Sequence, residues 1–194
     1  VRQGVSRLPV SSVKDPNYKL RSFDIKKSIE FFITTDVRFK SVIGCFELTE
    51  LREGCDRECM KFKAFKECWA AGKRIICFSV NRKDHWTSVY VHCGMNQVIV
   101  YDSIGNYSSA SRSVVRALEW VKYHLEKANV VANCDISNFE RFDMPSNIRQ
   151  TNAFDCGIFS IMVSCTLLPY SFVCCPPPSL YVSHHFMLIQ LTVG

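Results

Sequence analysis

Cys156 ends a polar stretch, Gln150-Thr151-Asn152-Ala153-Phe154-Asp155-Cys156-Gly157, and a strongly apolar run from Ile158 to Leu168 follows it. A cysteine where a polar loop opens onto a buried apolar helix can act as a nucleophile. The first backbone N–H groups of a helix have no partner within it, and the helix dipole is positive at that end. Both effects favour thiolate over thiol and lower the pKa. Gln150, six residues upstream, can curl back and bring its amide beside the sulfur. The competing reading is a buried structural cysteine, the commonest fate of a free one.

Thiol chemistry also needs a base, a group that orients the base, and a donor for the developing oxyanion. His85 and Asp102 suit the first two needs through strand geometry. If a hairpin closes on Gly94-Met95, Asp102 falls opposite Thr87, and His85 lies diagonal to Asp102 on the same face. Such diagonals span about 7–8 Å, which side chains can bridge. A carboxylate there accepts from one imidazole nitrogen and leaves the other aimed at a thiol. The plainer readings are a turn histidine beside a core tryptophan and an aspartate that starts the Asp-Ser-Ile-Gly turn.

Those residues need a sheet and a helix to hold them. Arg74 to Val80 reads as a buried strand, Asn81 to Asp84 as a turn, Trp86 to His92 as a strand, Cys93 to Asn96 as a turn and Gln97 to Asp102 as a strand. This is an antiparallel meander. Val114, Leu118, Val121 and Leu125 make one apolar face of a helix running from Ser111 or Arg112 to Lys127. Upstream, Leu20 to Thr34 has rough helical spacing, with Ser22 or Asp24 as the cap. Val37 to Phe46 is ambiguous, Glu47 to Ala71 is helical in part and stops at Gly72, and Asn133 to Asn147 is irregular. His92 and His124 are expected at the surface.

The chain has 194 residues, 47% of them hydrophobic and 22% charged, which is enough for one globular domain with a real core. Its net charge of +6 suits an acidic protein partner or a weak nucleic-acid contact, but no Lys/Arg block is dense enough to argue for nucleic acid. No stretch approaches the roughly 20 apolar residues of a membrane span, so no membrane partner is expected. The 11 cysteines are odd in number and irregularly spaced, with no signal-peptide pattern, which favours a reducing compartment over a disulfide framework. The chain begins with Val1 rather than Met, as a fragment of a longer product would. After Asp155 there is no Lys, Arg, Asp or Glu. Natural surfaces carry charge, so residues 169–194 read either as non-native coding sequence or as a tail that a partner covers. The expected organisation is an extended lead-in over 1–19, a catalytic domain over 20–168 and that atypical tail.

His85-Trp86 opening a strand, Tyr101-Asp102-Ser103 closing the next, and Gln150 with Asn152 before Asp155-Cys156-Gly157 resemble the Ulp/SENP-type SUMO proteases of cysteine peptidase clan CE. The resemblance covers about Lys73 to Cys165. It implies an α+β, papain-like cysteine protease fold, with a small antiparallel or mixed sheet packed on a helix that starts at the nucleophile. Carried over position by position, it implies Cys156 as nucleophile, His85 as general base, Asp102 as its orienter and Gln150 as oxyanion donor. Trp86 matches the tryptophan that lines the narrow channel for a Gly-Gly tail. The implied partner is SUMO or another ubiquitin-like protein and its conjugates. The implied protein is a monomer in the nucleus or cytoplasm and needs no cofactor or metal. Two departures stand out. The family's Trp-Leu-Asn-Asp-like start to its first helix is met here only by Arg21-Ser22-Phe23-Asp24, and its charged helical finish is missing. An inactive modifier-binding module and a clan CE acyltransferase are the alternatives; an acyltransferase of this clan more often pairs its histidine with Glu than with Asp.

Other cysteine and histidine groups carry less. Cys55, Cys59 and Cys68 fit no standard zinc spacing, and vicinal Cys174-Cys175 with His184-His185 suits a tetrahedral metal poorly.

Overall fold

The computed structural model describes residues 22–49, 62–82, 85–108, 110–130, 136–144, 149–150 and 156–167. The lead-in, the tail with its paired cysteines and histidines, Cys55, Cys59, Asn152 and Asp155 lie outside the described residues.

Five strands form one sheet in the order β1-β2-β3-β4-β5. They are β1 (Val42–Thr49), β2 (Ile75–Arg82), β3 (His85–His92), β4 (Gln97–Asp102) and β5 (Glu140–Asp143). The three central strands are the antiparallel meander that the sequence predicts, and β1 and β5 add parallel edges on β2 and β4. Helices cover both faces: α1 (Ser22–Thr35), α2 (Phe62–Ala70), α3 (Ser111–Lys127) and α4 (Cys156–Leu167). A strand covered on both faces reads as a continuous apolar run. In β2, Ile75 to Val80 are all buried.

Side chains alternate between the two faces, so each face has its own core. On one, Phe65 of α2 and Val114, Ala117, Trp120, Val121 and Leu125 of α3 pack on Phe46, Ile76, Phe78, Val80, Val89, Val91, Val98 and Val100. On the other, Ile25 and Ile29 of α1 and Cys156 and Val163 of α4 pack on Cys45, Cys77, Trp86, Tyr90 and Tyr101. Two helices stop where the chain turns left-handed. Gly72 (φ +81°) ends α2 and Asn129 (φ 52°) ends α3. In each case the left-handed residue and the one after it donate back to the last turn, Gly72 to Trp69 and Lys73 to Cys68, Asn129 to Glu126 and Val130 to Leu125.

Several expectations change. Within the stretch taken as irregular, Glu140–Asp143 is a strand. Its Glu-Arg-Phe-Asp sequence lacks alternation, and its place comes from outside contacts. The Glu140 N–H donates to the Asn96 carbonyl at 2.8 Å, and Arg141 reaches the Ser111 hydroxyl and the Tyr107 carbonyl. Ambiguous Val37 to Phe46 divides into a 3-10 turn, Val37–Phe39, and most of β1. Glu47 to Thr49, placed with a partly helical segment, finishes that strand. β2 runs on to Arg82, into the stretch read as a turn. His124 is fully buried rather than at the surface; its ring stacks on Trp120 with centroids 3.6 Å apart. His92 is half-buried, and its Nδ1 accepts from the Met95 N–H in the β3–β4 turn.

Candidate active site

The meander sets the first part of the geometry. Thr87 pairs with Asp102 across β3 and β4, the register that the hairpin predicts, and His85 opens β3 two residues earlier. His85 Nε2 lies 3.0 Å from Asp102 Oδ1. Asp102 is fully buried. Its Oδ1 also accepts from the backbone N–H groups of Ile104 (2.9 Å) and Gly105 (3.2 Å), and its Oδ2 accepts from Arg82 Nη1 at 3.0 Å. The turn needs its glycine: Gly105 has φ +80°, and a Cβ there would meet the Arg149 guanidinium at 2.8 Å.

These contacts decide charge. Burial alone would push the Asp102 carboxyl up, but His85, the Ile104 N–H and Arg82 hold it below the usual carboxylate range. Burial would likewise push His85 down. Hydrogen bonds to Asp102 and Cys156, together with the charge on both, carry it up instead to about 9. The His85 ring therefore holds its proton more firmly than a free imidazole.

Cys156 is buried at the first residue of α4, against Trp86 in the same apolar cluster. Burial works to raise its thiol. Hydrogen bonds from His85 and from the Trp86 and Gly157 backbone N–H groups, with the His85 charge, outweigh that and hold it below the ordinary thiol range. The arrangement thus draws a thiol and an imidazole toward a thiolate–imidazolium pair, backed by a carboxylate. Such a pair can attack a carbonyl with the sulfur and deliver a proton from the ring.

Gln150 reaches the site through Ser103, the residue after Asp102. The Gln150 N–H donates to the Ser103 carbonyl at 3.0 Å, and Ser103 Oγ donates to Gln150 Oε1 at 2.5 Å. An amide whose oxygen accepts from Ser103 turns its N–H donors the other way. The sequence reading missed Arg82 and left Ser103 without a role. Arg82 sits three residues before His85, and a charged residue at the end of an otherwise buried strand was the available signal. Ser103 lies inside a quoted motif and is fully buried, a polar residue that must find partners.

Among the described residues, no group of three or more His, Cys, Asp or Glu could hold a metal ion, and no helix is long and apolar enough to cross a membrane. Cys68 is half-buried on α2.

Comparison with known proteins adds the family. Residues 31–170 match the family described as "Ulp1 protease family, C-terminal catalytic domain". No curated protein matches the sequence. Among solved structures, the chain is similar to a de-sumoylating protease (15% identity, TM-score 0.52), with 78% of this chain and 62% of that one covered. It is also similar to the SUMO protease Ulp1 with its catalytic cysteine oxidised to a sulfinic acid (16%, TM-score 0.47, 79% and 68%). A third is the C-terminal Ulp1 protease domain in complex with SMT3, the yeast ortholog of SUMO (17%, TM-score 0.48, 79% and 67%). The chain thus spans about two thirds of the length of these structures. At such identity the first of these likenesses is one of fold, the α+β papain-like architecture that the sequence implies.

Proposed function

Because this chain belongs to the Ulp1 protease family, whose catalytic-domain profile spans residues 31–170, we propose that it is a cysteine peptidase cleaving after the C-terminal Gly-Gly of SUMO or a related ubiquitin-like protein. The observation that carries the reading is the His85 ring, held 3.0 Å from the buried Asp102 carboxylate and hydrogen-bonded to Cys156 at a helix start.

In this reading the Cys156 thiolate attacks the carbonyl of the last glycine. The backbone N–H of Cys156 and the Gln150 amide steady the oxyanion. His85 protonates the leaving amine, of a peptide or of a lysine side chain, as the thioester forms. It then takes a proton from the water that hydrolyses that thioester. Asp102 keeps the ring oriented and charged. Trp86 walls a channel too narrow for side chains, which accounts for Gly-Gly selectivity. The family match, with the de-sumoylating protease of similar fold, supports SUMO as the first modifier to try.

Covalent capture tests this. The chain is incubated with SUMO, a Nedd-type modifier and ubiquitin, each ending in a thiol-reactive group, beside Cys156→Ala. The expected result is an adduct with SUMO that Cys156→Ala abolishes. A folded protein that captures none of the three is not a protease of this kind, and the modifier-binding module becomes the better reading.

A further inference from the structure

α4 presents a problem of positioning. Its sequence, Cys-Gly-Ile-Phe-Ser-Ile-Met-Val-Ser-Cys-Thr-Leu, is apolar on nearly every side, and Ile158, Phe159, Ile161, Met162 and Val163 face different directions around it. Apolar contact is non-directional. A helix without a polar face can turn or slide against a sheet at little cost, and a one-residue slip turns it by about 100° and shifts it by about 1.5 Å. Either displacement would take Cys156 away from His85.

The polar atoms between α4 and β3 supply what apolar contact lacks. Ser160 and Ser164 stand one and two turns below Cys156, on the same side of the helix. Ser88 and Tyr90 stand two and four residues past Trp86, on the same face of β3. The partners meet in order. The Trp86 N–H reaches the Cys156 sulfur, Ser88 Oγ meets Ser160 Oγ at 2.5 Å, and the Tyr90 hydroxyl meets Ser164 Oγ at 3.0 Å. The spacing explains why three rungs fit. Four residues of helix advance about 6.0 Å, and two residues of strand about 6.6–6.8 Å, so equal steps stay aligned over two turns. All four hydroxyl-bearing residues are at most 1% exposed.

Proton bookkeeping gives the last rung a direction. Ser164 Oγ donates its one hydrogen to the Ser160 carbonyl at 2.7 Å. The Tyr90 O–H must therefore be the donor to Ser164. Burial pushes the Tyr90 phenol well above its usual range, so it stays a neutral donor. Any slip would strand these buried hydroxyls, and each unpaired group costs about 1–3 kcal/mol.

We propose that the Ser88–Ser160 and Tyr90–Ser164 hydrogen bonds set the rotation and axial position of α4, and through it the placing of the Cys156 sulfur against His85. They are positioning residues, and the inference rests on Cys156 and His85 acting as a pair. The charged and titratable groups on the elements packed around α4 are His85 and His92 of β3, Asp102 of β4, Arg82 of β2, and Asp24, Lys26, Lys27 and Glu30 of α1, with both lysines paired to Glu30.

The test uses the full chain and reads the rate of Cys156 alkylation by iodoacetamide against pH, by mass spectrometry of the Cys156 peptide. Turnover of a fluorogenic C-terminal amide of SUMO and the thermal midpoint are read alongside. Ser88→Ala with Ser160→Ala removes both partners of one rung, so neither is left unpaired. Its alkylation at pH 7 is expected to fall about tenfold, as the midpoint of the profile rises by about one unit. kcat falls in step and KM does not. Tyr90→Phe removes one oxygen without changing volume, and a two- to threefold loss of the same kind is expected. Val163→Ala, in the same cluster, lowers the thermal midpoint and leaves the Cys156 profile where it was. The proposal is overturned if the double variant keeps the wild-type profile, or if Val163→Ala moves the profile as far. Should the double variant not fold, Tyr90→Phe decides alone, and an unchanged profile overturns the proposal. An ordinary thiol profile in the wild type sinks the protease reading and this inference together. A low wild-type profile without turnover of SUMO, a Nedd-type modifier or ubiquitin sinks only the Gly-Gly substrate, and the variant profiles still judge the register.

Discussion

The two faces of the sheet are built on different rules. On the α2–α3 face a helix with one apolar side covers an apolar core, in which Trp120 packs on Phe46, Phe65 and Phe78 with centroids 4.4 to 6.2 Å apart. There the periodicity of α3 alone says which side faces in. On the α1–α4 face, α4 is apolar on nearly every side, and its Ser160 and Ser164 meet Ser88 and Tyr90 within the contact. The first face holds the sheet together. The second has a more exacting task, because one sulfur must sit at one place against one imidazole. The lesson is that burial needs only a pattern, whereas a site needs directional bonds in addition.

The comparison predicts that damage on the two faces reads out differently. The largest effect belongs to Cys156→Ala, which should remove turnover of the SUMO amide by about four to six orders of magnitude. Its denaturant midpoint should stay close to wild type, and an equal loss of fold would break the distinction between faces. Asp102→Asn comes next. Without the carboxylate, His85 loses the strongest of the contacts that hold it up against burial, and kcat should fall on the order of 10⁴-fold.

The same shifts give the wild type its pH profile. On the acid side, activity should rise as the lowered Cys156 thiol ionises, below the ordinary thiol range. It should hold while His85 keeps its proton and fall through about 9 as the ring loses it. In Asp102→Asn the alkaline fall should move to lower pH. An unmoved alkaline limb would mean that the carboxylate does not hold the charge on the ring.

On the other face, Trp120→Ala opens the apolar core and should cost about 3–5 kcal/mol in urea unfolding. Alkylation of Cys156 in the fraction still folded should follow the wild-type profile. A shifted profile would show that the two faces are coupled through the sheet. A smaller effect than any of these is expected for Ser103→Ala, about tenfold in kcat from the loss of one orienting hydrogen bond. In a Gln150→Ala background, which itself loses on the order of 10²–10³, Ser103→Ala should cost nothing further. Simple additivity would mean that Ser103 does not act through Gln150.

What the sequence determined by itself was local. The meander, the Thr87–Asp102 register, the start and end of α3 and the start of α4 at Cys156 all follow from period, turn residues and chain length. Each of these signals acts within a few residues or across one hairpin. What the tertiary structure alone decided was long-range. β5 has no apolar pattern and exists because β4 offers its backbone a parallel ladder, while Tyr107 and Ser111 hold Arg141. His124 looks like a surface cation near a helix end, yet Phe62, Phe65 and Trp120 enclose it from two helices. Arg82 becomes a partner of Asp102 only when β2, β3 and β4 lie side by side, 20 residues apart in the chain. The serines of α4 look like interruptions in an apolar run until β3 brings Ser88 and Tyr90 to them. Hydrophobic periodicity is written along the chain, but a buried polar group is explained only by its partner, and that partner is supplied by the fold.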